Sequence, residues 1–194
     1  FKEKTQGAFP GGKTDLFGRN LSFDDLAEHC RAGSDGVNLM SIGKIHEPGE
    51  GCACPMGSLS RMVLSRLVPG EKDMVIIDTA AGVEHFGRGI DSHSDLVIGV
   101  VDPSFESFAL AEKMEAMAGK AGLPVMFILN KMTGSIKSRI GEKIKPERIA
   151  AELDDLEEIF AAGLEGRAIG VLPESMERAA DRILRMKHEK KGGQ

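Results

Sequence analysis

Met74-Val75-Ile76-Ile77-Asp78-Thr79-Ala80-Ala81-Gly82 is the stretch that decides the fold class. An unbroken apolar run that ends in a carboxylate predicts a strand buried on both faces, as in a parallel sheet. The small residues after it, closing on Gly, predict a tight turn at the sheet edge. Two runs of the same kind follow, Leu96-Val97-Ile98-Gly99-Val100-Val101 and Val125-Met126-Phe127-Ile128-Leu129-Asn130, and then Ala168-Ile169-Gly170-Val171-Leu172. Upstream, Val37-Asn38-Leu39-Met40-Ser41-Ile42 alternates and predicts a further strand. Helical spacing of apolar residues fills 55–67, 104–121, 146–161 and 174–186, and a short amphipathic stretch covers 23–30 behind Ser22. Strands alternating with helices of this length predict an α/β fold, a three-layer parallel sheet with helices on both faces. Ligands of such sheets gather at the carboxyl ends of the strands, where Asp78, Asp102 and Asn130 fall.

The 194 residues are expected to form one domain over 1–194, with the charged and Gly-rich segment 188–194 as a frayed tail. Apolar residues make up 41% and charged residues 28%, the balance of a globular protein with a real core. A formal net charge of −5 argues against a nucleic-acid partner, which would need a basic face. Three cysteines form no disulfide framework, so a reducing, cytoplasmic location is expected. No apolar run approaches the roughly 18 residues that cross a bilayer, and neither a membrane partner nor a signal peptide is expected.

Gly51-Cys52-Ala53-Cys54-Pro55 carries the first chemical signal. Thiols one residue apart make a strained intrachain disulfide but good soft ligands for a thiophilic metal. A closed tetrahedral site needs four ligands, and one chain offers two here. The simplest completion is a second copy of the chain across a two-fold axis, so a homodimer is expected with a thiophilic ion at Cys52 and Cys54, where thiolates accept Ni²⁺, Zn²⁺ and Cu⁺ alike. Asp78 to Gly82 carries the second signal. A carboxylate delivered to a sheet edge can reach an Mg²⁺ shell through water, and a Gly lets a backbone N–H approach a γ-phosphate. Loss of that phosphate would release the turn, which makes it a switch. Asn130-Lys131 is the third signal, an amide able to pair with a purine edge beside a lysine stem able to cover the base.

Together with Gly87-Arg88-Gly89, Asp102-Pro103-Ser104 and Leu172-Pro173, these motifs resemble the MinD/nitrogenase-iron-protein class of P-loop ATPases. The run Ala81-Gly82-Val83-Glu84-His85 combined with a Cys-x-Cys pair resembles, within that class, the CooC-type carbon monoxide dehydrogenase maturation ATPases. The resemblance extends from about Phe1 to Met186. It implies an ATP-driven dimeric metallochaperone that assists nickel insertion into carbon monoxide dehydrogenase. It also implies Asp78 and Gly82 in catalysis, Asn130, Lys131 and Pro173 around ATP/ADP with Mg²⁺, and Cys52 and Cys54 of both subunits on the metal. Proteins of the class open with a strand and a Gly-rich loop with two lysines, which the residues from Phe1 onward do not match. The expectation is therefore a sheet without the first phosphate-loop strand and a chain without turnover of its own.

Gly7-Ala8-Phe9-Pro10-Gly11-Gly12-Lys13-Thr14 fits G-x-x-x-x-G-K-T letter for letter. A working phosphate loop follows a buried strand and opens a helix. Phe1 to Gln6 is no such strand, and Gly18 and Asn20 oppose a helix, so the stretch is read as a Gly/Pro turn. Cys30 and the ten methionines are read as packing. His46 is read as a solvated loop residue and 152–158 as a solvated acidic helix face. Glu84 and His85, beside the switch turn, keep both a functional and a structural reading. Two other functions stay open, a non-catalytic dimerisation and metal-binding module and an iron–sulfur scaffold of the same ATPase class.

Overall fold

The structure is a computed structural model. It describes residues 20–25, 31–34, 36–42, 54–87, 89, 91–140, 143–170 and 172–191. They belong to two compact units, Phe1–His93 and Ser94–Gln194.

In the first unit, β1 (Arg31–Ser34) and β2 (Val37–Met40) form an antiparallel hairpin. The strand expected over 37–42 is present, but its described partner is β1 and not a member of the parallel sheet. Helix α1 (Cys54–Leu64) begins at the Pro55 signal and buries Val63. Leu21 is buried too and forms a single parallel bridge to Leu67, just past the helix. A one-turn helix, α2 (Glu84–Gly87), follows the Gly82 turn.

The stretch 74–78, expected as a buried parallel strand, is not one. It joins no ladder among the described residues, and Ile76 is 83% exposed. Apolar and β-branched residues favour a pleated, half-buried environment, but a strand also needs a partner backbone. Among the described residues none supplies it.

The second unit holds the parallel sheet, in the order β3 (Val97–Val101), β4 (Val125–Leu129), β5 (Ile149–Glu152). Consecutive residues Val125, Met126 and Phe127 of the central strand are all buried, so both of its faces are covered. Helix α3 (Phe105–Lys120) crosses from β3 to β4 and buries Ala111 and Ala118. It approaches closely because β3 carries Gly99: a Cβ there would lie 2.8 Å from the Phe127 ring and 2.9 Å from Met114 Sδ. Helix α4 (Gly134–Ile140) leaves the end of β4, α5 (Glu157–Glu165) follows β5, and α6 (Glu174–Lys191) packs beside β5 with Ala179 buried. No helix among the described residues is long and apolar enough to cross a membrane.

Two expectations in this unit are corrected. The segment 146–161 is not one helix but a 3-10 turn at Pro146–Arg148, then β5, then α5. Ile149 to Glu152 pairs with Phe127 to Leu129, and that ladder overrides the helical preference of its alanines. The segment 168–172 forms no strand in its described part, where Ile169 and Leu172 are exposed. Helix α4 was not anticipated, and the last helix runs on to Lys191.

Candidate functional site

Strand register builds the site. Val101 pairs with Leu129, so the residues that follow, Asp102 and Asn130, leave adjacent parallel strands side by side at the carboxyl edge. The Asn130 backbone N–H donates to the Val101 carbonyl at 2.8 Å, continuing the ladder one step past the strands. The Asn130 Nδ2 amide donates to Asp102 Oδ1 at 2.9 Å, and Lys131 Nζ lies 3.9 Å from Asp102 Oδ2. The Asp102 and Lys131 side chains are half exposed, 50% and 54%, so this charge pair sits at an open edge and not in the core.

The start of α3 fixes Asp102 from behind. Ser104 caps the helix, its hydroxyl accepting from the Ser107 N–H at 3.1 Å. The Asp102 N–H donates to Ser107 Oγ at 3.0 Å, and the Asp102 carbonyl accepts from the Ser104 N–H at 2.7 Å. On the other side, Met132 is buried and its N–H donates to the Leu153 carbonyl at 2.9 Å. Between these anchors Lys131 takes φ 55°, a left-handed conformation unusual for a residue with a side chain. The geometry thus presents an amide, a carboxylate and an ammonium on a rigid frame.

Pro173 stands directly before α6, and its carbonyl accepts from the Met176 N–H at 2.8 Å. No hydrogen bond given by the described residues links it to the trio.

The switch candidates lie in the other unit. Asp78 is exposed at the end of the unpaired stretch. Gly82 has φ 114°, and a Cβ there would collide with the Glu84 carboxylate, so both backbone and space call for glycine. The turn continues with the Phe86 N–H on the Val83 carbonyl at 3.1 Å and the Gly89 N–H on the Phe86 carbonyl at 3.2 Å. His85 packs on Phe86 with ring centroids 4.5 Å apart. Helix α1 reaches this segment, since a Cβ at Gly89 would sit 3.5 Å from Arg61 Cδ. The Arg61 side chain of the helix that starts at Cys54 therefore lies near the region just after the switch turn.

Cys52 lies outside the described residues, as do Gly7–Thr14, Cys30, His46 and Arg88; of Cys54 only its place at the first position of α1 is described. Among the described residues no group of three His, Cys, Asp or Glu side chains could hold a metal ion. Asp102 was visible as a polar strand end, but its bond to an amide 28 residues away was not, because that pairing follows from register.

No family model matches the chain. It is 39% identical over 169 residues to an uncharacterised ATP-binding protein of Methanocaldococcus jannaschii, covering 87% of this chain and 68% of that protein. A second uncharacterised ATP-binding protein of that organism is 34% identical over 146 residues, 75% of this chain and 57% of the relative. The carbon monoxide dehydrogenase accessory protein CooC of Rhodospirillum rubrum is 33% identical over 118 residues, 60% of this chain and 45% of the relative. The chain thus spans from about half to two thirds of the length of these relatives. With an α/β fold, polar groups gathered at the carboxyl edge of its parallel strands, and 39% identity across 68% of the first of these proteins, the chain belongs to the ATP-binding proteins of the MinD/CooC class.

Proposed function

We propose that the chain is the switch and metal-handling part of an ATP-dependent accessory protein, one that helps load nickel into carbon monoxide dehydrogenase. The observation that carries the nucleotide half is the Asp102, Asn130 and Lys131 group at the carboxyl ends of β3 and β4, in a chain of an ATP-binding family. The likeness to CooC supports the client.

In this reading Asn130 pairs with the purine edge, and the Lys131 stem and Pro173 flank the base. The residues fit that group: Asn130 keeps one N–H and its carbonyl oxygen for a ligand, no described residue bonding that oxygen. Asp78, exposed, would serve a hydrated Mg²⁺, and Gly82, with positive φ and no side chain, would offer its N–H to a γ-phosphate. ATP supplies the energy of phosphoryl transfer, and loss of its γ-phosphate frees the Gly82 turn. Arg61, whose side chain lies near Gly89, would be the route by which such a change reaches α1 and Cys54. Cys52 and Cys54 of two copies would together hold one Ni²⁺ or Zn²⁺ as cargo.

The test is metal-dependent dimerisation. Light scattering and metal analysis of the chain are expected to give a dimer with about one Zn²⁺ or Ni²⁺ bound per two chains. A Cys52→Ala/Cys54→Ala variant that dimerises on metal with unchanged affinity would remove the shared-thiolate reading.

A further inference from the structure

We propose that Asp102 is a specificity-determining positioning residue: by holding one N–H of Asn130 it fixes which way round the amide faces, and so selects adenine over guanine. The inference depends on the reading above in which Asn130 meets the purine edge. It adds to it a reason why the amide reads one base and not the other.

An amide side chain is nearly symmetric in shape but not in chemistry. A half-turn about its last bond exchanges an acceptor for two donors at little steric cost. Left to itself, Asn130 could present either end to a base. Asp102 removes the choice, because an ionised carboxylate only accepts. With Nδ2 donating to Asp102 Oδ1 at 2.9 Å, the reversed amide would set its oxygen against the carboxylate.

The frame keeps the two groups in register. The Asp102 N–H is held by Ser107 Oγ and its carbonyl by the Ser104 N–H, while the Asn130 N–H is held by the Val101 carbonyl. Lys131 Nζ faces the other carboxylate oxygen at 3.9 Å, leaving Oδ1 to the amide. What remains on Asn130 is one N–H and the carbonyl oxygen, a donor beside an acceptor. Adenine offers the complement, an amino donor at C6 and the N7 acceptor. Guanine offers two acceptors there, so one of its oxygens would meet the Asn130 oxygen.

The test is calorimetric binding of ADP, GDP and inosine diphosphate, with Mg²⁺, to the full-length protein and to Asp102→Asn, Asn130→Ala and the double variant. Inosine diphosphate carries a carbonyl where adenine has its amino group, so it probes the C6 contact without any mutation. The wild type is expected to prefer ADP to both others by about tenfold or more. Asp102→Asn, whose amide accepts or donates, should cut that preference by about tenfold, partly by gaining GDP affinity. In the Asn130→Ala background the same change should leave the ratio where it is. A purely structural Asp102 would weaken all nucleotides alike, keep the ratio, and still cost affinity without Asn130. An unchanged ratio in Asp102→Asn overturns the inference alone. Equal binding of ADP and inosine diphosphate by the wild type overturns it without reference to any variant's folding. A wild type that binds none of the three overturns the nucleotide reading and this inference with it.

Discussion

At Lys131 the backbone and the side chain serve different ends. Its left-handed conformation costs about 1–2 kcal/mol in a residue with a Cβ, and glycine would avoid that cost. Glycine loses more freedom on folding, by about 0.5–1 kcal/mol, so Lys131→Gly should stabilise the fold by a net of about 0.5 kcal/mol. In a chain of this size that raises the melting temperature by roughly 1–2 °C. Lys131→Ala keeps the strained backbone and should melt with the wild type, while both variants lose nucleotide affinity if the lysine stem covers the base. Melting curves of the three proteins test this, and a glycine variant no more stable than the alanine one would mean the conformation is not costly. Asn130 and Lys131 were legible as residue types at a strand end. The Asp102 bond was not, because a contact across 28 residues depends on which residue of β3 faces which residue of β4.

Among the elements, β3, β4 and α3 meet most tightly at Gly99. Phe127 is buried and cannot withdraw its ring, although Met114 can swing its sulfur away. Gly99→Ala should therefore destabilise by about 1–3 kcal/mol, read as a lower urea midpoint with unchanged slope. On the far side, α4 is tied to the segment after β5 by Lys137 Nζ and Asp154 Oδ1 at 2.6 Å. That hydrogen bond raises the Lys137 ammonium above its ordinary value, partly offset by desolvation and helped in lesser measure by the Asp154 and Glu152 charges. A folded-state value above the unfolded one stabilises at lower pH, and the gain is lost as pH climbs past the ordinary lysine value and through the raised one. Asp154→Ala should accordingly be less stable than the wild type at neutral pH, with the gap closing in strong alkali; urea melts at both conditions check it. The strands 97–101 and 125–129 could be read from sequence because five-residue apolar runs fit a parallel sheet, although Ile98 and Val100 of the first are exposed and only the second is buried almost throughout. Ile149-Ala150-Ala151-Glu152 could not, since its alanines favour a helix until β4 supplies a partner.

At the scale of the whole molecule, burial among the described residues is uneven. Of the 14 buried apolar residues among those described, 12 lie in Ser94–Gln194, and only Leu21 and Val63 lie in Phe1–His93. Local stability follows buried apolar surface and backbone pairing, so the two units should open with different free energies. The sharpest contrast is between 125–129 and 74–80. The first is the central strand, paired on both sides. In the second, no backbone N–H donates to a described residue, although its apolar run Met74 to Ile77 predicts a buried strand. A segment with strand-forming residues and no partner among the described residues is poised to gain order when one arrives. Hydrogen exchange followed by mass spectrometry should then find the amides of 74–80 exchanging near the intrinsic rate without nucleotide, and those of 125–129 the slowest in the chain. If Asp78 and Gly82 act as proposed, ATP with Mg²⁺ should slow 74–80 and leave 125–129 unchanged. Equal protection of the two segments before nucleotide is added would mean that 74–80 already has a backbone partner, and that its exchange cannot report on a switch.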